Sequence, residues 1–397
     1  MEKKNKISIC HVITRMIVGG AQENTLFSCI GQLRAGHRVV LVTGPSPGSE
    51  GELLSRISVP ELEVVTIDEM VREISPVKDF QAYCKLKKYF KKEKFDVVHT
   101  HSSKAGLIGR LAAAAAKVPC VVHTVHGQAF HEYEKPWKNF IYKLAERIAG
   151  YPSDRIYAVA QAMIDQCVKA DIAPAKKYKV VYSGMDMESF LNAKRNMDLR
   201  NKLALPEDAF VIATLARLFE LKGYDDVMKA FPLVLDKNPN AHLLIIGDGI
   251  LRGELEAAAR DGGFADKVHF AGLISPDKVP EYLVQSDVLW HLSLREGLPR
   301  SVVQALACGK PAFGYALDGT PEVILNGETG YCTAAKAYAE IADKTVELYH
   351  NPDLMKKMGE NGRNLVRTRF DKDRMAEILL NEYLDILERK RLKQNVC

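Results

Sequence analysis

The chain has 397 residues, too many for one compact unit at usual domain sizes and enough for two with a core each. Hydrophobic residues make up 47% and charged residues 26%, the balance of a soluble α/β protein, and the formal net charge of +5 is too mild to argue for nucleic acid. The cysteines at 10, 29, 84, 120, 167, 308, 332 and 397 fall outside zinc-ligand and Cys-x-x-Cys spacing, which argues against zinc and dithiol chemistry and reads as free thiols in a reducing cytosol.

The opening MEKKNKISICHVIT is basic, then apolar, but the apolar run breaks at His11, Thr14 and Arg15 and makes a poor secretory signal. The best apolar run, LAAAAAKVPCVV, is interrupted by Lys117 and Pro119 and is too short to cross a bilayer. The expected location is cytoplasmic, with any membrane contact peripheral.

Strand candidates then alternate with amphipathic stretches. They are ISICHVI, RVVLVTG, EVVTI, DVVHTH, CVVHTVHG, RIYAVA and KVVYSG in the first half, and VIATLA, HLLIIGDG, KVHFAG, DVLWHLS and PAFGYA in the second. Near-continuous apolar strands spaced by helical stretches predict parallel sheets with helices on both faces. The strand rhythm pauses at 183–198, so domains are expected over 1–188 and 189–370, with one helix over 371–397. In open parallel sheets, ligands sit at the carboxyl ends of the strands, so the residues that follow each strand are the candidates for chemistry.

Gly19, Gly20 and Gln22 follow the first strand. Paired glycines allow φ > 0 and close backbone approach, and a helix start there suits a phosphate; an ordinary tight turn reads equally well. His99 and His101 end one strand, and His123 and His126 the next. His99 and His123 are expected to be structural; His101 and His126 are expected to face a crevice. Arg217 and Lys222 flank a strand end and a helix start, and form either a pyrophosphate clamp or a solvated pair. In REGLPRSVVQALACGKP, Pro299 opens a helix and Gly309 stops it. Glu296 beside that N-terminus can accept from sugar hydroxyls, or merely favour the helix electrostatically. Glu322 ends the turn Asp318-Gly319-Thr320-Pro321-Glu322, where a solvated carboxylate is the competing reading.

Taken together, these segments resemble glycosyltransferase family 4 of the GT-B fold, from Gly19 to about Gly330. REGLPRSVVQALACGKP is similar to the family's Glu-x7-Glu signature, ARLFELKG to its Gly-Arg-Leu…Lys-Gly element, and HTHSSKAGLIGRLA and HTVHG to its N-domain motifs. The resemblance implies two Rossmann-like domains facing across a cleft, with the acceptor on the first and a nucleotide sugar on the second. It implies a hexose-type sugar, a UDP- or GDP-linked donor, a saccharide or lipid-linked acceptor, and retention of anomeric configuration. Position by position, Gly20 and its loop would approach donor phosphate and acceptor, and His126 the donor sugar. Arg217 and Lys222 would neutralise the diphosphate. Glu296 with the amides of Gly297 and Leu298 would hold sugar hydroxyls, and position 304 the ribose. The chain departs from the pattern at Gln304, Ala216 and Asp318.

No resident cofactor or metal is expected. The Asp-x-Asp of the chain, Asp371-Lys372-Asp373, falls at the terminal helix rather than at a strand end. A GT-B sugar-nucleotide 2-epimerase and a non-catalytic nucleotide-sugar-binding subunit stay open as alternatives; an NAD-dependent oxidoreductase is disfavoured because no Gly-x-Gly-x-x-Gly follows the first strand. The segment CKLKKYFKKEKF, with Lys85, Lys87, Lys88, Lys91, Lys92 and Lys94, is expected to bind anionic lipid weakly; a solvated helix face is the equal alternative.

Overall fold

The computed structural model describes residues 6–46 and 53–396. It divides into two units, residues 1–185 with 371–397, and residues 186–370.

The first unit runs β1 (Ser8–Ile13), α1 (Gly20–Arg34), β2 (Arg38–Thr43), α2 (Leu53–Arg56), β3 (Glu63–Thr66), α3 (Pro76–Glu93), β4 (Val97–His101), α4 (Ser103–Ala115), β5 (Cys120–Val125), α5 (Pro136–Gly150), β6 (Arg155–Ala158), α6 (Gln161–Lys169) and β7 (Tyr178–Val180). The seven strands are parallel in the order β3-β2-β1-β4-β5-β6-β7. Valine-rich strands buried on both faces are the reason for the continuous apolar runs.

The second unit runs α7 (Glu188–Leu191), α8 (Met197–Lys202), β8 (Phe210–Leu215), α9 (Tyr224–Leu235), β9 (Ala241–Ile246), α10 (Arg252–Asp261), β10 (Val268–Gly272), α11 (Val279–Leu283), β11 (Val288–His291), α12 (Arg300–Ala307), β12 (Ala312–Tyr315), β13 (Gly330–Thr333), α13 (Tyr338–Tyr349) and α14 (Pro352–Arg369). Its six strands are also parallel, in the order β10-β9-β8-β11-β12-β13. In each unit the strand order reverses beside the first strand, at β1/β4 and at β8/β11. Crevices open at such switch points, beyond the carboxyl ends of the strands.

Two features depart from the sequence reading. β13 was not expected, because its GYCT lacks a β-branched run and begins on a glycine. Gly330 has a φ of +154°, and a Cβ there would come within 1.8 Å of the Ala312 carbonyl, so only glycine admits the pairing with β12. The terminal helix α15 (Lys372–Val396) is not a separate body but part of the first unit. Its Met375, Leu379, Tyr383 and Leu387 pack with Ile9, Val97, Val122 and Tyr157 of the sheet. Each such side chain contributes about 1.5–3 kcal/mol by burial. Gly31 of α1 faces Ala376, where a Cβ would come within 2.3 Å, so α1 and α15 approach at the distance glycine permits.

Candidate active site

In the first unit, the residues at the switch point form a chain of neutral imidazoles. Gln32 Oε1 lies 2.8 Å from His11 Nε2, His11 Nδ1 lies 2.9 Å from His101 Nε2, and His101 Nδ1 lies 3.0 Å from His126 Nε2. An amide oxygen only accepts, so His11 donates from Nε2. Each neutral ring then has one donor and one acceptor. The pattern propagates: His101 donates from Nε2 to His11 Nδ1, and His126 donates from Nε2 to His101 Nδ1. The amide of Gln32, whose Nε2 lies 3.4 Å from the Tyr383 hydroxyl, thereby orients three rings in one direction. His99 belongs to the same scheme, with Tyr383 at 2.5 Å on Nδ1 and Thr124 at 2.7 Å on Nε2.

Burial holds these rings neutral. It pushes His11 down to about 4, and it pushes His99, His101 and His123 well below the usual imidazole value, with the Arg110 charge adding to the shift at His123. His11, His99 and His101 each offer a ring nitrogen within 4.8 Å of the others. Each of their ring nitrogens already has a protein partner, and no carboxylate joins them, so the set fits a hydrogen-bond relay better than a metal ion.

His101 corrects the sequence reading. It is fully buried between His11 and His126 and does not face a crevice. His126, half-buried, is the member nearest solvent. His11 and Gln32 went unnoticed because their role depends on strand order: the parallel register sets His11 beside His99. Gly19 caps α1 with extended backbone (φ −179°), and Gly20 opens the helix, so neither takes the positive φ expected of the pair. Gln22 folds back over Gly19, and a Cβ there would come within 2.7 Å of its Oε1.

In the second unit, the equivalent place carries charge. The loop after β8 is tied to the loop after β11 by Leu294 N donating to Leu221 O at 2.8 Å. Gly223, at φ +77°, caps α9; a Cβ there would meet the Leu292 carbonyl at 1.9 Å, so the close approach of the two loops requires glycine. This stitching delivers Lys222 Nζ to Glu296 Oε1 at 2.6 Å, with side-chain exposures of 28% and 18%. His291 Nε2 lies 3.5 Å from the same oxygen, and its Nδ1 lies 3.1 Å from Ser301. Burial works to raise the Glu296 carboxyl, but attraction from His291 and Lys222 outweighs it and holds the group below its usual value. Burial also pushes His291 down, against the pull of Glu296 and with Lys222 adding to the shift.

Arg217 is exposed, its guanidinium 5.2 Å from the centre of the Phe219 ring. Asp318, at φ +49°, accepts from the Glu296 backbone N–H at 2.8 Å. The departure from glycine at 318 therefore has a local reason, since an aspartate tolerates left-handed backbone better than most residues and here anchors Glu296. His291 and Phe219 escaped the sequence reading; Glu322 lies half-buried in a 3-10 turn three residues beyond Gly319. Pro299 caps α12 rather than opening it, Gly297 is half-buried, and the Leu298 side chain is buried, which leaves its backbone for contact. Gln304 is the position that the resemblance assigns to the ribose. It is half-buried, and its side-chain amide has no hydrogen-bond partner among the described residues.

Comparison with known proteins accounts for both halves. Residues 18–189 match the family described as Glycosyltransferase Family 4, and residues 196–365 the one described as Glycosyl transferases group 1. The chain is 30% identical over 328 residues to an Escherichia coli UDP-Gal:alpha-D-GlcNAc-diphosphoundecaprenol alpha-1,3-galactosyltransferase, covering 82% of this chain and 84% of that protein. It is 27% identical to the Staphylococcus aureus capsular polysaccharide biosynthesis glycosyltransferase CapM, covering 82% and 86%. An Anabaena protein solved in complex with UDP is similar in fold, with a TM-score of 0.79, 20% identity, and coverage of 96% of this chain and 100% of that one. A Rickettsia africae glycosyltransferase has a TM-score of 0.81 at 19% identity, covering 96% and 99%. Two parallel Rossmann-like sheets, the motifs at their strand ends and these relatives agree: the chain belongs to glycosyltransferase family 4, has the GT-B fold and is a glycosyltransferase.

Proposed function

We propose that the chain is a retaining, metal-independent hexosyltransferase. It takes sugar from a UDP- or GDP-linked donor to a saccharide or lipid-linked acceptor, in cell-envelope polysaccharide or glycolipid biosynthesis. The reading places it in the cytoplasm, peripheral on the inner face of the membrane. The observation that carries this reading is the Lys222–Glu296 pair at the β8/β11 switch point, beside an Arg217 with no ion pair among the described residues. Support also comes from a relative named for UDP-Gal and a GlcNAc-diphosphoundecaprenol, and from a neighbour solved with UDP-glucose.

In this mechanism the bond from the anomeric carbon to the diphosphate breaks, and the carbon becomes oxocarbenium-like. Arg217 and Lys222 neutralise the diphosphate as charge builds on it. Glu296, ionised beforehand, accepts from sugar hydroxyls. The acceptor oxygen attacks from the face the leaving group departs, and a phosphate oxygen takes its proton, so no separate base is required. His126 is assigned the donor sugar, Gly19, Gly20 and Gln22 the phosphate and acceptor side, and Gln304 the ribose; Gly297, Leu298 and Glu322 complete the donor set.

A panel of UDP- and GDP-sugars, supplied with a lipid-diphosphate-linked acceptor in excess EDTA, tests the reading, with the first-formed anomer read by NMR. Turnover with retention is expected. Inversion, or loss of activity restored by magnesium or manganese, would overturn it. Epimerised donor without acceptor would place the chain with the 2-epimerases instead.

A further inference from the structure

Most surface helices turn their apolar stripe inward; α5 does the reverse. Trp137, Phe140, Ile141, Leu144, Ile148 and Tyr151 are all exposed, Trp137 by 61% and Phe140 by 67%. At 3.6 residues per turn these six positions fall within an arc of about 100°. The opposite face holds the helix in this orientation. Glu146, half a turn away from Trp137, pairs at 2.7 Å with the fully buried Arg110 of α4, and Arg110 Nε donates to Gly106 O. Asn139, also away from the stripe, bonds the backbone of His131 on both sides of its amide. Rotating the apolar stripe inward would break these bonds and strand Arg110 in the core.

The stripe is bordered by cations. Lys138, 5.8 Å from the Trp137 ring centre and paired with Glu134 at 3.4 Å, lies on one side; Lys143, 5.6 Å from the Phe130 ring centre, and Arg147, paired with Asp171 at 3.5 Å, lie on the other. Large aromatic and aliphatic side chains flanked by three cations match a helix lying in the interface of an anionic bilayer, its apolar face among the acyl chains and its lysine stems reaching up to the headgroups. A second copy of the chain fits poorly, because a two-fold interface would bring the same cations against themselves.

We infer that α5 is the bilayer-docking surface of the protein, and that its partner is an anionic lipid surface. The inference rests on the reading that the enzyme works at a membrane. It moves the contact from the α3 lysines to α5. In α3 the apolar residues of the lysine segment, Leu86 and Phe90, are buried and offer a bilayer nothing to insert.

The chain carries its own reporter. Of its two tryptophans, Trp290 is buried and bonded to Thr345, whereas Trp137 stands on the stripe. Full-length protein is mixed with phosphatidylcholine vesicles, with and without phosphatidylglycerol, some with brominated acyl chains. On anionic vesicles Trp137 emission should shift to the blue and be quenched by bromine, and Trp137→Phe should abolish both signals. Phe140→Ser with Leu144→Ser should lower partitioning more than about tenfold. That pair should leave the melting temperature and the turnover of a soluble acceptor unchanged, since neither side chain lies in the core. Three results would overturn the inference: flotation with Trp137 emission unchanged, equal partitioning onto neutral vesicles, or a lipid-free dimer dissolved by the double substitution. Absence of turnover in solution would count against the transferase mechanism instead, and leaves the vesicle result to be read by itself.

Discussion

The two switch points share a topology and differ in electrostatics. At the ends of β4 and β5, burial strips His11 and His101 of their charge, and what remains is direction: each ring donates one way because Gln32 accepts at the end of the chain. At the ends of β8 and β11, comparable burial leaves charge in place, because Lys222 reaches Glu296 at 2.6 Å. The difference follows from partner type. An imidazole whose neighbours are imidazoles and amides gains nothing by protonation, whereas a carboxylate beside an ammonium gains enough to offset its desolvation. One strand end is prepared to orient hydrogen bonds, and the other holds the charge that the proposed mechanism sets against phosphate and hydroxyls.

The sharpest way to break the contrast is to remove charge from the second unit. Lys222→Met should lower kcat by roughly 10²–10³, the scale of losing one preorganised electrostatic contact, and should also lower the melting temperature by leaving Glu296 buried and unpaired. Glu296→Gln in the same background should restore much of the stability but not the rate. Melting curves and initial rates of the two singles and the double close the cycle; a Lys222→Met enzyme of near-normal rate and stability would show the pair to be incidental.

Arg217→Ala should act on ligand alone. The side chain is exposed and its recorded contact is the Phe219 ring, so the melting temperature of the empty enzyme should not move. Affinity for the nucleotide diphosphate should fall about ten- to a hundredfold, the loss of one charge-assisted contact. Calorimetric titration reads both halves of the statement, and unchanged affinity would remove Arg217 from the site.

The smallest effect is set by pH and should separate the units. The buried histidines have folded values depressed from 6.5, to about 4 for His11. Between those values the unfolded chain binds protons that the folded unit refuses. Stability is therefore complete above about pH 6.5 and declines as pH falls, by about 1.4 kcal/mol per unit for each such ring. Glu296 is depressed as well, and its stabilisation is likewise lost as pH falls, but in a lower window: it is present above the ordinary carboxylate range and is lost as pH falls through a lower value. Hydrogen exchange at pH 7.5 and 5.5 should show β4 and β5, which carry His99, His101 and His123, loosening more than β11, whose single histidine, His291, is also pushed down by burial but is pulled back by Glu296. Equal loss in both units would refute the comparison.

Much of the architecture was legible in the sequence, because parallel strands buried on both faces must be apolar throughout, and such runs can be counted. Gly223, Glu296, Lys222 and Arg217 were legible for the same local reason: a strand end followed by glycine, proline and charge is a pattern within a few residues. What the sequence could not supply were meetings between distant residues. His11 joins His101 across 90 positions and Gln32 sits within reach of Tyr383 across 351, and both depend on strand order and on the return of α15 to the first unit. His101 was misjudged because its place at the end of β4 does not reveal that β1 and the loop after β5 close over it. Asp318 was read as a departure from a pattern, although its left-handed backbone and its bond to Glu296 give it a use that only the folded turn displays. The same holds for the apolar residues of α5. By composition they belong to a core, and by periodicity to a helix face; that the face points outward shows only in the folded unit, where the opposite face pairs Glu146 with the buried Arg110 and bonds Asn139 to His131.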